Sequence, residues 1–338
     1  MPANDRLEPM AVAEAKRLYL KDRRDEVAEK TVKSQRLVLT QFAEWCEDEG
    51  IEDMNDLTGR DLHRHRLWMK DRNLANATIR NRLSTLRVFI KWAGTVEAVP
   101  KDLHEKIDPP TLTDDDRRER MLSAEMAEDA LEYLDTYEYA SRRHATLKLL
   151  WKTGLRMGAA RSIDLEDLHL DDQYIDLQHR PSSETPLKNT EASERAVALD
   201  DETTTVLGEY VEVRRIDVVD EYGRRPLFTT ENGRVAKTTI RRDVCASTRP
   251  CLWGPCPHDR DPADCAAAND PERSYDCPSS VTPHPVRRGS LTHHLLNDVP
   301  EQVVSDRMDV SQEVLGEHYD ERTRTQQMEQ RREYLDNI

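Results

Sequence analysis

Apolar residues recur at helical spacing through residues 8–94, and this periodicity limits the first part of the chain to a packed helical unit. The pattern predicts four helices, near Glu8–Arg24, Thr31–Glu49, Thr58–Arg72 and Asn76–Ala93. The second carries Val32, Leu39, Phe42, Ala43 and Cys46 on one face. The fourth carries Ile79, Leu83, Leu86 and Ile90 as one stripe, with Arg80, Ser84, Arg87 and Lys91 on its other side. A helix with an apolar back and a basic front suits a DNA groove. A solvated charged face is the alternative for the same four residues.

The chain has 338 residues, more than one hydrophobic core usually spans, so two domains are expected. Residues 1–98 read as the helical domain. Residues 99–120 read as an exposed linker, with Pro100, Pro109, Pro110 and the run TDDDRRER. Residues 121–338 read as a second domain. It opens with helical stretches at Ser123–Thr136 and Ser141–Thr153. Two β segments follow, Gln173–His179 and Arg195–Leu199, flanking a polar turn, and a helical pattern runs from Asp200 to Tyr222. An insertion at 245–283 holds five of the six cysteines, and helices resume to the end. The fold class is therefore mainly α with a small β-sheet. No run approaches the 18 or so apolar residues of a membrane span. The start, MPANDRLEPM, lacks an apolar signal core, so a cytoplasmic protein with no membrane association is expected.

Fifty basic residues face 66 acidic ones, a net charge of −16, which by itself argues against a nucleic-acid partner. The basic residues are 38 Arg and only 12 Lys. An acidic, Lys-poor surface resembles proteins of halophilic archaea that hold molar salt in the cell. At about 1 M salt the Debye length is near 3 Å, so close contacts rather than overall charge decide binding. Acidity then says little about whether the substrate is an anion.

Three segments carry chemistry: TGLRMGAARSIDLEDL at 153–168, HPVRRGSLTHHLL at 284–296 and SQEVLGEHYDERT at 311–323. Between the first two lies Lys188, in TPLKNTEASERAVAL. Cleaving a phosphodiester requires a nucleophile in line with phosphorus, cations on the non-bridging oxygens and an acid for the leaving 5′ oxygen. Arg suits the clamp because its planar fork stays charged and binds two oxygens. Tyr suits the nucleophile because the phosphotyrosyl bond that it forms is reversible.

In their order and intervals these segments resemble the boxes of tyrosine site-specific recombinases, the phage-type integrases. The resemblance covers residues 121–338 well and extends weakly to 8–94. It implies a two-domain architecture, a helical core-binding domain followed by an α+β catalytic domain, which close on duplex DNA. Its catalytic residues map to Arg156, Lys188, His284, Arg287 and Tyr319. In that scheme Arg156 and Arg287 bind the scissile phosphate and His284 assists in proton transfer. Tyr319 attacks to leave a 3′-phosphotyrosyl bond, and Lys188 protonates the 5′ oxygen. Catalysis would need no cofactor. The partner implied is double-stranded DNA, bound by a homotetramer that is a monomer or dimer in solution. A final helix within 321–338, with apolar Met328 and Leu335, would dock on a neighbouring subunit or fold back in cis.

Several positions depart from the family pattern. Ala159 stands where an acidic residue often follows the first arginine, and Arg288 stands where His is frequent. The L-G-H that usually precedes the tyrosine is replaced by VVSDRMDVS, where Arg307 is the nearest polar candidate. A type IB topoisomerase activity and a non-catalytic DNA-binding regulator on the same scaffold are the alternatives.

Cys245, Cys251, Cys256, Cys265 and Cys277 lie in one proline-rich stretch with few apolar side chains. Clustered cytosolic thiols more often bind zinc than form disulfides. Cys251, Cys256, Cys265 and Cys277 are the preferred ligands of a structural zinc ion, with Cys245 and His258 in reserve. Free thiols and disulfides are the alternatives.

Overall fold

The computed structural model describes residues 7–113 and 120–318, together with Thr325, Met328, Glu329 and Arg332. The chain falls into two compact units, residues 1–119 and 120–338.

The first unit is built from α1 (Val12–Asp22), α2 (Glu29–Asp48), α3 (Gly59–Asp71) and α4 (Asn76–Thr95). The second and fourth bury the stripes that their periodicity predicts. Leu39, Phe42, Trp45 and Cys46 of α2 meet Ile79, Leu83, Leu86, Phe89 and Ile90 of α4 in one core. Thr58 caps α3 in a reciprocal box with Asp61, satisfying amides that the first helical turn leaves open. His65 of α3 is buried between the rings of Phe42, Trp45 and Trp68. Val99, Leu103 and Ile107, within the stretch expected as a linker, are buried in this core.

The second unit is organised around α6 (Arg142–Thr153), buried on nearly every face as a helix at the centre of a domain must be. Around it lie α5 (Ala124–Tyr137), α8 (Asp201–Glu209), α9 (Lys237–Ser247) and α11 (Pro283–Leu296). The short helices are α7 (Met157–Ser162) and α10 (Ala266–Asn269). Side-chain caps start α5 at Ser123, α6 at Ser141 and α8 at Asp200. An antiparallel sheet of β1 (Leu168–His169), β2 (Tyr174–Leu177) and β3 (Arg195–Ala198) covers one side, with Ile175 opposite Val197. A second hairpin joins β4 (Thr229–Thr230) to β5 (Gly233–Arg234).

Three expectations are corrected. The helical pattern from Asp200 stops at Arg214 rather than Tyr222. The Arg215 amide closes on the Tyr210 carbonyl at 2.7 Å, and its guanidinium turns to the carbonyls of Pro226 and Val218. The turn after β2 is a long connection, residues 178–194, with 3-10 turns at Pro181–Ser183 and Thr190–Ser193. The stretch expected as an insertion from residue 245 begins inside a helix, because Cys245 lies buried in α9.

A separate small core is formed where α11 meets α12 (Glu301–Met308) and α13 (Gln312–His318). Leu291, Leu295, Val304, Met308, Val310 and Leu315 fill it. Gly289 lets α11 lie against the main chain at Leu122, where a Cβ would strike the Leu122 carbonyl.

Candidate anion-binding site

Helix α6 ends at Gly154, whose φ of 59° reverses the chain in the left-handed region that favours glycine. The reversal buries Leu155 and places Arg156 at the N-cap of α7. A side chain at Gly154 would also collide with Met308, so this turn fits tightly under the end of α12.

Arg287 rises from the first turns of α11 into the same place and is buried, with 4% of its surface exposed. Its Nη1 donates to the carbonyls of Gly154 and Met308, both at 2.6 Å, and its Nη2 lies 3.4 Å from the carbonyl oxygen of Asp309. Arg156 pairs through Nη1 with the carboxylate of the same Asp309. His284, one turn before Arg287, is near enough to feel both arginines. Burial pushes its imidazole below the usual value, and the charges of Arg287, Arg288 and Arg156 push it further. Arg156, His284 and Arg287 are thus brought together.

The connection between β2 and β3 reaches the cluster from another side. Asn189 donates from Nδ2 to Asp309 Oδ1 at 3.1 Å, and Ser193 donates from Oγ to Asp309 Oδ2 at 2.7 Å. Lys188 is exposed at the tip of this connection, beside Asn189. Arg195 is held by the carbonyls of Arg307 and Ser193. Burial lowers the Arg195 guanidinium, and the Asp309 carboxylate acts against that. Arg307 is not gathered into the cluster. Its guanidinium donates to the Lys152 carbonyl at 3.2 Å and lines a neighbouring cleft with Asp200, His293 and His294. Tyr319 lies outside the described residues, and α13 ends one residue before it.

Asn189, Ser193, Arg195 and Asp309 were not among the residues predicted from sequence. The one signal available was the departure at VVSDRMDVS, which places an acid ten residues before Tyr319.

In the first unit Arg80, Ser84, Arg87 and Lys91 are all exposed along α4, and Arg80 donates to the carbonyl of Pro110 at 3.0 Å. In the insertion, Cys251, Cys256, Cys265 and Cys277 line one small cavity with His258, Arg249 and Arg260, and all are free thiols. Backbone amides of α10 lower the Cys265 thiol, whereas burial raises that of Cys251. As placed, no three His, Cys, Asp or Glu side chains among the described residues form a group set to hold a metal ion. No helix among them is long and apolar enough to cross a membrane.

Two arginines and an imidazole thus gather around Asp309, whose carboxylate also takes donors from the connection before β3, an arrangement able to hold an anion. Residues 18–95 match the family model of the phage integrase N-terminal SAM-like domain. The chain is 25% identical over 210 residues to the tyrosine recombinase XerD of Oceanobacillus iheyensis, covering 62% of this chain and 67% of that protein. It is 26% identical over 154 residues to the tyrosine recombinase XerC of a Roseiflexus species, covering 45% of this chain and 48% of the relative's length. Among solved structures it resembles the Tn1549 transposon integrase in complex with transposon right end DNA. The TM-score is 0.69 and the identity 15%, over 96% of this chain and all of that one. It also resembles a lambda integrase dimer bound to a COC′ core site, with a TM-score of 0.65 and 13% identity over 94% of this chain and 79% of that one. By sequence the chain is similar to tyrosine recombinases, and by fold it is similar to integrases.

Proposed function

We propose that this chain is a site-specific DNA recombinase that cuts and rejoins duplex DNA through a 3′-phosphotyrosyl intermediate. The observation that carries the reading is the convergence of Arg156 and Arg287 on one residue, Asp309, with His284 beside them. In this reading the Tyr319 phenol oxygen attacks the scissile phosphorus and the bond to the 5′ oxygen breaks. Arg156 and Arg287 hold the non-bridging oxygens, where negative charge builds up. His284, kept neutral by burial and by its cationic neighbours, takes up the phenol proton, and Lys188 supplies one to the leaving oxygen. The 5′ hydroxyl of a partner strand then reverses the step. One phosphodiester replaces another, so neither ATP nor a cofactor enters. The partner is double-stranded DNA in the cytoplasm, met through the basic face of α4 (Arg80, Ser84, Arg87, Lys91) as well as the anion site. Four copies assemble on DNA from monomers or dimers in solution.

A pool of nicked suicide duplexes with randomised arms tests the assignment. Wild-type protein traps a covalent adduct that survives denaturation, and Tyr319→Phe gives none while still binding duplex. Absence of any adduct from the wild type would leave a DNA-binding regulator as the better account.

We also infer that Cys251, Cys256, Cys265 and Cys277 hold a structural zinc ion. The support is their shared cavity in a stretch with little apolar core of its own, where a tetrahedral thiolate site would supply the cross-link. Purified protein should carry about one equivalent of zinc by elemental analysis. Cys277→Ser should lose it and melt at lower temperature. Metal-free wild-type protein with the same melting curve would mean that the thiols are simply free.

A further inference from the structure

We infer that the carboxylate of Asp309 sits in the seat of the substrate phosphate when DNA is absent, and that Asn189 and Ser193 are two further ligands of that phosphate. The inference deepens the recombinase reading and rests on it for the identity of the anion.

The donor set is the first argument. Asp309 accepts side-chain hydrogen bonds from three residues on two separate parts of the chain. These are Arg156 at the start of α7, and Asn189 and Ser193 on the connection before β3. Arg287 approaches the main-chain oxygen of the same residue. A carboxylate offers two oxygens bearing one shared negative charge, and a phosphodiester offers two non-bridging oxygens bearing the same charge. Donors that fit one fit the other. Ser193 is itself oriented, since its Oγ accepts from the Asn189 amide at 3.2 Å while donating to Asp309.

Charge balance is the second argument. Arg156 pairs with this carboxylate, Arg195 is close enough to feel its charge, and Arg287 reaches the main-chain oxygen of the same residue. Three cations gathered near one carboxylate leave a net positive site, whose field draws in a phosphate.

Position is the third. Asp309 has φ 52° and ψ 63°, a left-handed conformation uncommon for a residue with a side chain, at the junction of α12 and α13. That junction belongs to the small core of α11, α12 and α13 and not to the main core of the unit. Its departure would therefore leave the main core intact. Tyr319 follows ten residues later. Displacing Asp309 would shift the segment that leads to the nucleophile, so phosphate binding would both fill the clamp and reposition the approach to Tyr319.

The test compares wild type with Asp309→Asn and Asp309→Gly. Both replacements suit a left-handed backbone, so both keep the fold. Inorganic phosphate is titrated by its effect on thermal unfolding, and a random-sequence duplex by fluorescence anisotropy. Removing the internal competitor should tighten phosphate binding about tenfold, as expected when the competent fraction rises from about a tenth to all of the protein. Duplex binding should tighten too. Adding Asn189→Ala and Ser193→Ala to Asp309→Asn should take the gain away. If both Asp309 variants bind phosphate no better than wild type, Asp309 serves only to orient Arg156 and the inference is wrong. The suicide-duplex adduct reports separately on the parent reading. An adduct with unchanged phosphate affinity rejects the seat alone, and a tighter phosphate site with no adduct rejects the recombinase reading alone.

Discussion

Arg287 shows what a single side chain does here. Its fork ties the turn at Gly154 to the ends of α12, and a Lys at the same position would present one rotatable ammonium in place of a planar pair. Arg287→Lys should leave at least one buried carbonyl without a donor and destabilise the second unit by about 2 kcal/mol. It should also reduce the covalent adduct severely, because the clamp loses its shape as well as its reach. Chemical denaturation and the suicide duplex measure the two effects, and a variant as stable as wild type would contradict this placement. Arg156, His284 and Arg287 were singled out in the sequence by residue type and order, and the fold brings them together. Asn189, Ser193 and Asp309 were not legible there. Asn, Ser and Asp are ordinary turn and cap residues, and only a partner distant in sequence turns them into anion ligands or an anion mimic.

At the level of elements, periodicity located α1 to α6 to within a few residues, because each buries one stripe against a neighbour. It overran at the end of α8, where residues 215–222 keep helix-compatible composition. There the backbone is diverted by Arg215 and by the turn in which Asp220 accepts the amides of Tyr222 and Arg224. The same region holds a buried network hidden from a sequence reading. Asp164 lies between the guanidinium groups of Arg224, Arg234 and Arg180, and Arg180 also forks onto Asp167. These ion pairs fasten β5 and the connection after β2 to the end of α7, and so indirectly set where Asn189 and Ser193 sit.

Across the whole molecule, each unit buries a histidine with no role in the proposed chemistry. Burial drives the His65 imidazole down to about 4, helped by Arg82, and burial lowers His144 in the second unit against the pull of Asp135. Both rings are therefore neutral in the folded state but protonate near 6.5 once unfolded. Stability from these sites is complete above about pH 6.5 and declines as the pH falls toward 4, because the unfolded chain then binds the extra protons. For His65 the loss should reach roughly 3 kcal/mol. Unfolding followed by tryptophan fluorescence, with Trp45 against the His65 ring, should show a shallower pH dependence for His65→Phe than for wild type. Parallel curves would mean that the ring is solvated.

What the amino-acid order determined by itself was local: helical periodicity, caps, and the types of residue able to clamp a phosphate and attack it. These follow from backbone geometry and side-chain chemistry acting over a few positions. Only the tertiary structure decided which side chains share a site. Convergence of α7, the β2–β3 connection, α11 and the α12–α13 junction depends on close approach at Gly154 and Gly289 and on packing between segments far apart in the chain. No local rule encodes that packing. It put Asp309 at the centre of the clamp and turned Arg307 away from it.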